Sequence, residues 1–250
     1  MSEVVPDTTT LLDARILLDA KAVSKRFGGV VALKSIDLVQ HRGETLGMIG
    51  PNGSGKTTFV NVISGHTRAN GGTISFDGVS LAGSNPFQIA KAGLTRTYQA
   101  VRVFGELTVR ENIATALVDA RDPASPDAVD EIADWLRIAH RYDVRAGGLT
   151  LMEQRQLELL MRLVQRPKLM MLDEPVGGLS SSEVRTMIGL LSELKSRCTV
   201  FVIEHTMKVI RELADKVVVL MAGEKLAEGS PADILADQRV IDRYLGTADA

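Results

Sequence analysis

A glycine-rich segment directly after an apolar run carries the strongest chemical signal in the sequence. It reads Gly50-Pro51-Asn52-Gly53-Ser54-Gly55-Lys56-Thr57, a complete G-x-x-x-x-G-K-[ST] pattern, and Thr58 continues it into the apolar-periodic FVNVISG. Glycines at these spacings let backbone N–H groups converge on phosphate oxygens at a helix N-terminus. The lysine can bridge the β- and γ-phosphates, and the hydroxyl after it can ligate Mg²⁺. Residues 50–58, called the phosphate loop below, therefore predict a site for a nucleoside triphosphate with Mg²⁺; the alternative is an ordinary glycine-rich turn.

Two adjacent carboxylates end a second apolar run, LMMLDEP, which extends from Leu169 to Pro175. Asp173 can orient Mg²⁺ through water, and Glu174 can accept a proton from an attacking water as a general base. By itself, an apolar run ending in Asp-Glu-Pro is more often a strand that enters a turn. Together with the phosphate loop upstream, the pair predicts hydrolysis of the bound triphosphate.

The elements that must position these groups follow from the apolar pattern. Four Val-, Ile- and Leu-rich runs predict buried strands of one largely parallel sheet, at 44–50, 168–173, 199–204 and 216–221. Two segments before the phosphate loop, and a hairpin with an Asp-Gly turn after it, predict an antiparallel β-region beside that sheet.

The domain organisation is predicted from the same pattern. Helical periodicity dominates between Leu107 and Gln165, with a linker-like stretch at 119–128. We therefore expect an α/β fold with a polar tail at 1–15, one domain over 16–250 and a helical subdomain inserted at about 105–166.

Composition excludes several classes of function. The 29 Lys and Arg against 31 Asp and Glu give a net charge of -2, so the sequence offers no basic face for nucleic acid. The single cysteine, Cys198, allows no internal disulfide and is expected to be a small apolar residue at the entry to a strand. The N-terminal stretch lacks the basic and apolar regions of a signal peptide, and no apolar run approaches the ~20 residues of a spanning helix. We expect a cytoplasmic protein whose membrane contact passes through a partner.

Further residues occur in the order typical of the ATP-binding-cassette family, which the chain resembles over nearly its whole length. Phe27, in SKRFGG, matches the aromatic residue that the family stacks on adenine, although one such aromatic is as often a core residue. Gln99, in RTYQAVRVF, matches the glutamine that meets Mg²⁺ and the attacking water. His205, in FVIEHTM, matches the histidine that contacts the γ-phosphate. The resemblance implies a P-loop NTPase core that binds ATP and Mg²⁺, with Thr57, Gln99 and Asp173 at the metal.

The resemblance also implies that two copies sandwich two ATP molecules, the signature segment of one facing the phosphate loop of the other. Here that segment is LTLME: Thr150 keeps a hydroxyl where serine is usual, whereas Met152 and Glu153 stand where Gly and Gln are common. Thr150 and Glu153 also form a capping-box pattern, which would stabilise a helix with or without nucleotide. Ser180 stands where the family has Asp or Asn, and with Glu183 it predicts a second capped helix.

Within the family, the segments SKRFGGVVAL, GLTRTYQAVRVFGELTVREN and VVLMAGEKLAEGSPADIL most resemble ATPase subunits of branched-chain amino acid importers. The resemblance implies a homodimer, or a heterodimer with a related subunit, beneath two integral membrane permeases at the inner face of the cell membrane, with a solute-binding protein supplying the solute from outside. Residues 99–107 would form the docking surface for a permease. The altered signature leaves open an ATP-dependent dimerisation module with weak turnover. A soluble cassette ATPase acting on DNA or ribosomes is disfavoured by the near-neutral charge.

Overall fold

The computed structural model describes residues 15–118 and 120–244 of the 250-residue chain, so the predicted polar tail lies outside the described residues except for Arg15. The strands of the described part are β1 (Ile16–Phe27), β2 (Val30–His41), β3 (Thr45–Ile49), β4 (Gly71–Phe76), β5 (Val79–Ser80), β6 (Leu94–Arg96), β7 (Leu169–Asp173), β8 (Thr199–Ile203), β9 (Lys216–Met221) and β10 (Glu224–Gly229). Its helices are α1 (Lys56–Ile63), α2 (Pro86–Ala92), α3 (Val109–Val118), α4 (Pro126–Trp135), α5 (Leu151–Leu163), α6 (Ser181–Leu194), α7 (Met207–Leu213), α8 (Pro231–Ala236) and α9 (Gln238–Arg243). None of the helices in these ranges has the length and apolar character that crossing a bilayer requires.

A six-stranded sheet forms the central layer, with the strand order β10-β9-β3-β8-β7-β6. Strands β9, β3, β8, β7 and β6 run parallel to one another, and β10 pairs antiparallel with β9. Every residue of β3, β7 and β8 is buried, as expected for parallel strands covered on both faces. The four apolar runs form β3, β7, β8 and β9, so the prediction that they share one sheet is confirmed.

An antiparallel sheet of order β2-β1-β4-β5 lies beside the central sheet, as predicted. Its tight turn is Asp77-Gly78, whose φ angles of 53° and 75° suit the short hairpin turns that right-handed strand twist favours. Arg42 and Lys168 both form ion pairs with Asp77, which ties this turn to the start of β7. The sheet is therefore fixed to the central layer at the turn as well as along its face.

The two faces of the central sheet belong to separate apolar cores. Met170 and Leu172 contribute to a core shared with α3, α4, α5 and α6. Leu169, Met171 and Phe201 contribute to a second core shared with α1 and the antiparallel sheet. Since side chains alternate between the faces of a strand, β7 supplies both cores in turn. The central sheet is thus held between helices α3 to α6 on one side and α1 with the antiparallel sheet on the other.

Helices α3, α4 and α5 lie between β6 and β7 in the chain, within the stretch for which the sequence predicts helices. Helix α4 begins at Pro126, and the Ser125 hydroxyl accepts a hydrogen bond from the Ala128 N–H at 3.4 Å. The linker-like stretch at 119–128 therefore overlaps the first three residues of α4, and residue 119 lies outside the described residues. Serine followed by proline is an N-cap with a first-turn proline, which starts a helix.

Candidate active site

The phosphate loop runs from the carboxyl end of β3 into the first turn of α1. Gly50 and Gly55 have φ angles of 151° and 108°, which side-chain-bearing residues rarely adopt. A Cβ atom on Gly50 would lie 2.1 Å from the Leu220 carbonyl oxygen, and one on Gly55 would lie 2.6 Å from the Ala32 carbonyl oxygen. The neighbouring strands therefore exclude larger residues at both positions, and the path of the loop depends on glycine.

Lys56, the first residue of α1, directs its ammonium group back into the loop. Its Nζ donates hydrogen bonds to the carbonyl oxygens of Gly50, at 2.6 Å, and Pro51, at 3.1 Å. Burial lowers the pKa of Lys56, while the carboxylates of Glu174 and Asp173 act in the opposite direction. The loop thus holds a buried cation, which can form charge-assisted hydrogen bonds with phosphate oxygens, near two carboxylates.

The loop offers further hydrogen-bond donors besides this lysine. Gly55 occupies the N-cap of α1 and provides no side-chain cap, so the first N–H groups of the helix have no partner within it. Ser54 is buried, and its hydroxyl has no hydrogen-bond partner among the described residues. Thr57 is exposed and Thr58 half-buried in the same turn. An anion with several oxygens fits this set of donors.

Strands β7 and β8 end side by side and bring two loops together. Asp173 is paired in register with Ile203, and the Glu174 N–H donates to the Ile203 carbonyl oxygen at 2.9 Å. Glu174 has a φ of 48°, a left-handed conformation that is uncommon for a residue other than glycine. Such backbone strain clusters at functional sites because the surrounding structure must maintain it.

Gln99 and His205 both approach the Glu174 carboxylate. The Gln99 amide Nε2 donates to Glu174 Oε2 at 2.8 Å. His205 Nδ1 lies 3.8 Å from Glu174 Oε1, and the Glu174 side chain remains 21% exposed, so water can reach it. Gln99, Glu174 and His205, which are predicted to act in hydrolysis, therefore meet in one place, although each follows a different strand.

Asp173 has a partner that sequence analysis missed. Arg96, at the end of β6, donates from Nη2 to Asp173 Oδ2 at 2.8 Å, and both side chains are buried. Arg96 Nη1 also donates to Asn61 Oδ1 at 2.5 Å, which ties β6 to α1 behind the phosphate loop. The segment LTR gives no sign of this role, because an arginine is normally expected at the surface.

Glu204 is a second residue that sequence analysis missed. Its carboxylate is fully buried and accepts hydrogen bonds from the Val176 N–H at 3.4 Å and the His205 N–H at 3.3 Å. Burial raises the pKa of Glu204, and the two hydrogen bonds oppose that shift. Glu204 thus joins the loop after β7 to the loop after β8. The signal that could have revealed it is its position at the end of an apolar strand, which matches that of Asp173.

The side chains near the phosphate loop suit Mg²⁺ in their chemistry. Thr57, Gln99 and Asp173 offer hydroxyl, amide and carboxylate oxygens, the hard donors that Mg²⁺ prefers. Over residues 15–118 and 120–244, no group of three or more His, Cys, Asp or Glu side chains could hold a metal by itself. Mg²⁺ usually takes one or two carboxylates and completes its shell with substrate phosphates and water, so this sparse set fits an ion bound together with a nucleotide.

The predicted capping box at the start of α5 is confirmed. The Thr150 hydroxyl accepts from the Glu153 N–H at 3.3 Å, and Glu153 Oε2 accepts from the Thr150 N–H at 2.9 Å. Glu153 Oε1 also accepts from Arg141 Nε at 2.7 Å, and Met152 is buried. The two unusual side chains of the signature segment are therefore engaged in contacts within the helical region. The contact of Thr150 with a nucleotide stays a prediction.

Two further predictions concern Ser180 and Phe27. Ser180 caps α6 in a second capping box with Glu183, as predicted. Phe27 ends β1 with 51% exposure, and Lys25 Nζ lies 4.8 Å from the centre of its ring. Phe27 is therefore no core residue, and its stacking on a base stays a prediction.

Comparison with known families gives two matches. The profile of the ABC transporter family matches residues 33–177, which include the phosphate loop and both carboxylates after β7. The profile described as branched-chain amino acid ATP-binding cassette transporter matches residues 224–250.

Relatives and solved structures agree with these matches. The high-affinity branched-chain amino acid transport ATP-binding protein BraF of Pseudomonas aeruginosa is 34% identical, over 94% of this chain and 100% of its own. LivG of Salmonella typhimurium, with the same description, is 35% identical over 93% of this chain and 98% of its own. A crystal structure of the ADP conformation of an ATP-binding cassette of an ABC transporter aligns with a TM-score of 0.82 at 27% identity, over 92% of this chain and 99% of that one. A nucleotide-free ATP-binding cassette aligns with a TM-score of 0.81 at 27% identity, over 92% and 98%.

Proposed function

The chain belongs to the ABC transporter family and is an ATPase with the ATP-binding-cassette fold, and we propose that Gln99, Glu174 and His205 catalyse hydrolysis of ATP held by the phosphate loop. The observation that carries the proposal is the convergence of Gln99 and His205 on the Glu174 carboxylate, at 2.8 and 3.8 Å. Lys56 supports it, because its ammonium group interacts electrostatically with the same carboxylate.

The proposed reaction uses these groups in separate roles. Lys56 and the N–H groups of the loop hold the β- and γ-phosphates. Glu174 accepts a proton from water while the water oxygen attacks the γ-phosphorus, and the bond from that phosphorus to the β–γ bridging oxygen breaks, leaving ADP with the electron pair. Gln99 orients the carboxylate and the water, and His205 faces the transferred phosphoryl group.

Thr57, Gln99 and Asp173 are the residues proposed to hold Mg²⁺ with the nucleotide. The ion would neutralise charge that develops on the phosphate oxygens. Arg96 fixes the carboxylate of Asp173 through a buried ion pair, so this ligand is held in place before binding.

We further propose that hydrolysis drives uptake of a small solute, a branched-chain or related amino acid, through integral membrane permeases. The descriptions of BraF and LivG and the match at residues 224–250 support this choice of solute. The proposed docking surface is residues 99–107, because it begins at the residue bound to Glu174 and includes Phe104, which is 56% exposed. In this proposal the protein is a peripheral subunit at the inner face of the cell membrane, and a solute-binding protein delivers the solute from outside.

The proposal includes a second ATPase subunit, either another copy or a related chain. The capped N-terminus of α5, at Thr150, would then face the phosphate loop of that partner, since a helix N-terminus attracts anions. Met152 and Glu153 favour one other candidate, an ATP-dependent dimerisation module with weak turnover, because both side chains are turned to contacts inside the helical region. Measuring the ATPase rate beside ATP-induced dimerisation separates the two.

The variant Glu174→Gln tests the proposed base. Glutamine keeps the size of the side chain but cannot accept the proton, so turnover should fall by at least about 100-fold. The affinity for Mg-ATP should stay within about threefold, since the binding groups remain. Phosphate release and calorimetric titration measure the two effects, with the exposed Glu212→Gln on α7 as a matched control. Unchanged turnover in Glu174→Gln would refute the assignment.

A further inference from the structure

Helix α5 carries two buried charged residues less than one turn apart, Arg155 and Glu158. Arg155 is 6% exposed and Glu158 is 1% exposed. Neither belongs to the phosphate loop or to the residues assigned to hydrolysis above. Because arginine and glutamate are seldom buried this deeply without a specific reason, their contacts indicate what they do.

Arg155 contacts the backbone on both sides of the Gln99–Glu174 hydrogen bond. Its Nη2 atom donates to the Gly177 carbonyl oxygen at 2.6 Å and to the Gln99 carbonyl oxygen at 3.5 Å. The Gly177 N–H in turn donates to the Glu174 carbonyl oxygen at 3.1 Å, so Gly177 lies in the same turn as the proposed base. One guanidinium group therefore links the segment that carries Gln99 to the turn that carries Glu174.

Glu158 contacts the backbone of the same segment before and after Gln99. Its Oε1 atom accepts a hydrogen bond from the Arg102 N–H at 3.3 Å. A hydrogen bond with the Tyr98 backbone opposes the rise in the Glu158 pKa that burial causes. The backbone of residues 98–102 is thus held by Glu158 at its first and last residues and by Arg155 at Gln99.

Nearby carboxylates partly offset the effect of burial on Arg155. Desolvation lowers the pKa of the Arg155 guanidinium, whereas the carboxylates of Glu158, Glu204 and Glu174 favour its charged form. Glu204 is itself the carboxylate that joins the loops after β7 and β8. Arg155 is therefore a buried cation close to the proposed base and to the carboxylate that joins the two loops.

Close packing at Gly177 also indicates that the guanidinium of Arg155 is held against the turn of Glu174. A Cβ atom on Gly177 would lie 3.3 Å from the Glu174 carbonyl oxygen and 3.5 Å from Arg155 Nη2. The guanidinium thus packs directly against the turn.

We propose that Arg155 is a positioning residue for ATP hydrolysis, which fixes the backbone of Gln99 relative to the turn that carries Glu174. The inference rests on the proposed function, because it takes Gln99 and Glu174 as the groups that handle the attacking water. It adds a role for α5 toward the catalytic groups of its own chain, separate from the role of Thr150 toward a partner subunit.

The test compares the change in kcat with the change in the Kd for Mg-ATP in the variants Arg155→Met and Arg155→Lys. Methionine removes both hydrogen bonds but keeps an unbranched apolar chain, so kcat should fall by about 10- to 100-fold, as expected when reacting groups are displaced by about 1 Å. The calorimetric Kd for Mg-ATP should stay within about threefold, because Arg155 does not contact the phosphate loop. Lysine keeps the charge but lacks the planar fork of the guanidinium, so kcat should stay at least about fivefold below wild type.

The control Arg197→Met removes an arginine that also bridges two elements, since it pairs with Glu131 at 3.0 Å and lies over the Trp135 ring. Its kcat should remain within about twofold of wild type. If Arg155→Met does not fold, Arg155→Lys decides. Wild-type kcat in a folded Arg155 variant, or a loss of affinity equal to the loss of kcat, would overturn the inference.

Glu174→Gln, measured in parallel, separates this inference from the proposed function. If Glu174→Gln still hydrolyses ATP at the wild-type rate, the proposed base is wrong and the inference fails with it. If Glu174→Gln is inactive while both Arg155 variants turn over normally, the inference alone fails.

Discussion

The phosphate loop and the region around Glu174 are built in different ways. The loop consists of consecutive residues, and its path follows from glycine conformations and the start of α1. The region around Glu174 is assembled from three separate segments, and buried side chains from other elements hold it together. The proposed nucleotide site is thus encoded locally, whereas the geometry proposed for hydrolysis depends on long-range contacts.

The largest expected effect tests the long-range supports. Arg96→Met removes the cation that pairs with Asp173 at 2.8 Å and leaves a buried carboxylate without its partner. The free energy of unfolding should fall by about 3 to 5 kcal/mol, which is typical when one partner of a buried ion pair is removed. Urea denaturation measures this loss.

The double variant Arg96→Met with Asp173→Asn serves as the control for that prediction. Because asparagine carries no charge, the double variant should regain about 1 kcal/mol or more relative to Arg96→Met alone. If Arg96→Met costs less than about 1 kcal/mol, the ion pair does not support the site as described.

A smaller effect tests the local encoding of the phosphate loop. A Cβ atom on Gly55 would lie 2.6 Å from the Ala32 carbonyl oxygen, whereas one on Gly53 would meet nothing within 4 Å. Both glycines have positive φ, so each alanine is strained, but only Gly55→Ala also clashes with backbone. Gly55→Ala should be destabilised by about 2 kcal/mol more than Gly53→Ala. Equal stabilities of the two variants in urea would show that the neighbouring strand does not constrain the loop.

The smallest effect concerns the cap of α5. Thr150→Ala removes the hydroxyl that accepts from the Glu153 N–H, and it should cost about 1 kcal/mol of unfolding free energy. Thr150→Ser keeps an acceptor and should stay within about 0.5 kcal/mol of wild type. A wild-type stability for Thr150→Ala would mean that the cap contributes nothing, and the helix would then owe its start to packing alone.

Much of the fold could be predicted because the relevant signals are local. The largely apolar runs of β3, β7, β8 and β9 predict buried parallel strands, and Asp77-Gly78 predicts its hairpin turn. The linker-like composition of 119–128 extends across the start of α4, because Ser125 and Pro126 lie in a stretch rich in Asp, Pro and Ala. The N-cap Ser125 and the first-turn Pro126 start the helix despite this composition.

In the candidate site, too, residues with a local sequence signal could be predicted and residues without one could not. The phosphate loop and the pair Asp173-Glu174 could be predicted, since each residue type has a chemical role at its position in a strand-loop-helix pattern. Gln99 and His205 could be assigned only through family resemblance, because neither has a local signal. Arg96 and Arg155 could not be predicted, because the burial of a charged side chain is determined by tertiary partners that a sequence does not show. Glu204 has one local signal, its position at the end of an apolar strand.

The most direct test of the central claim is calorimetric titration of the folded protein with Mg-ATP, beside the variant Lys56→Ala. The buried ammonium group of Lys56 and the N–H groups of the loop should bind the triphosphate in the wild type, and loss of the lysine should weaken binding on the order of 100-fold, about 2.7 kcal/mol. Equal affinity in Lys56→Ala, or no uptake by the folded wild type, would contradict the assignment of residues 50–58 as the nucleotide site.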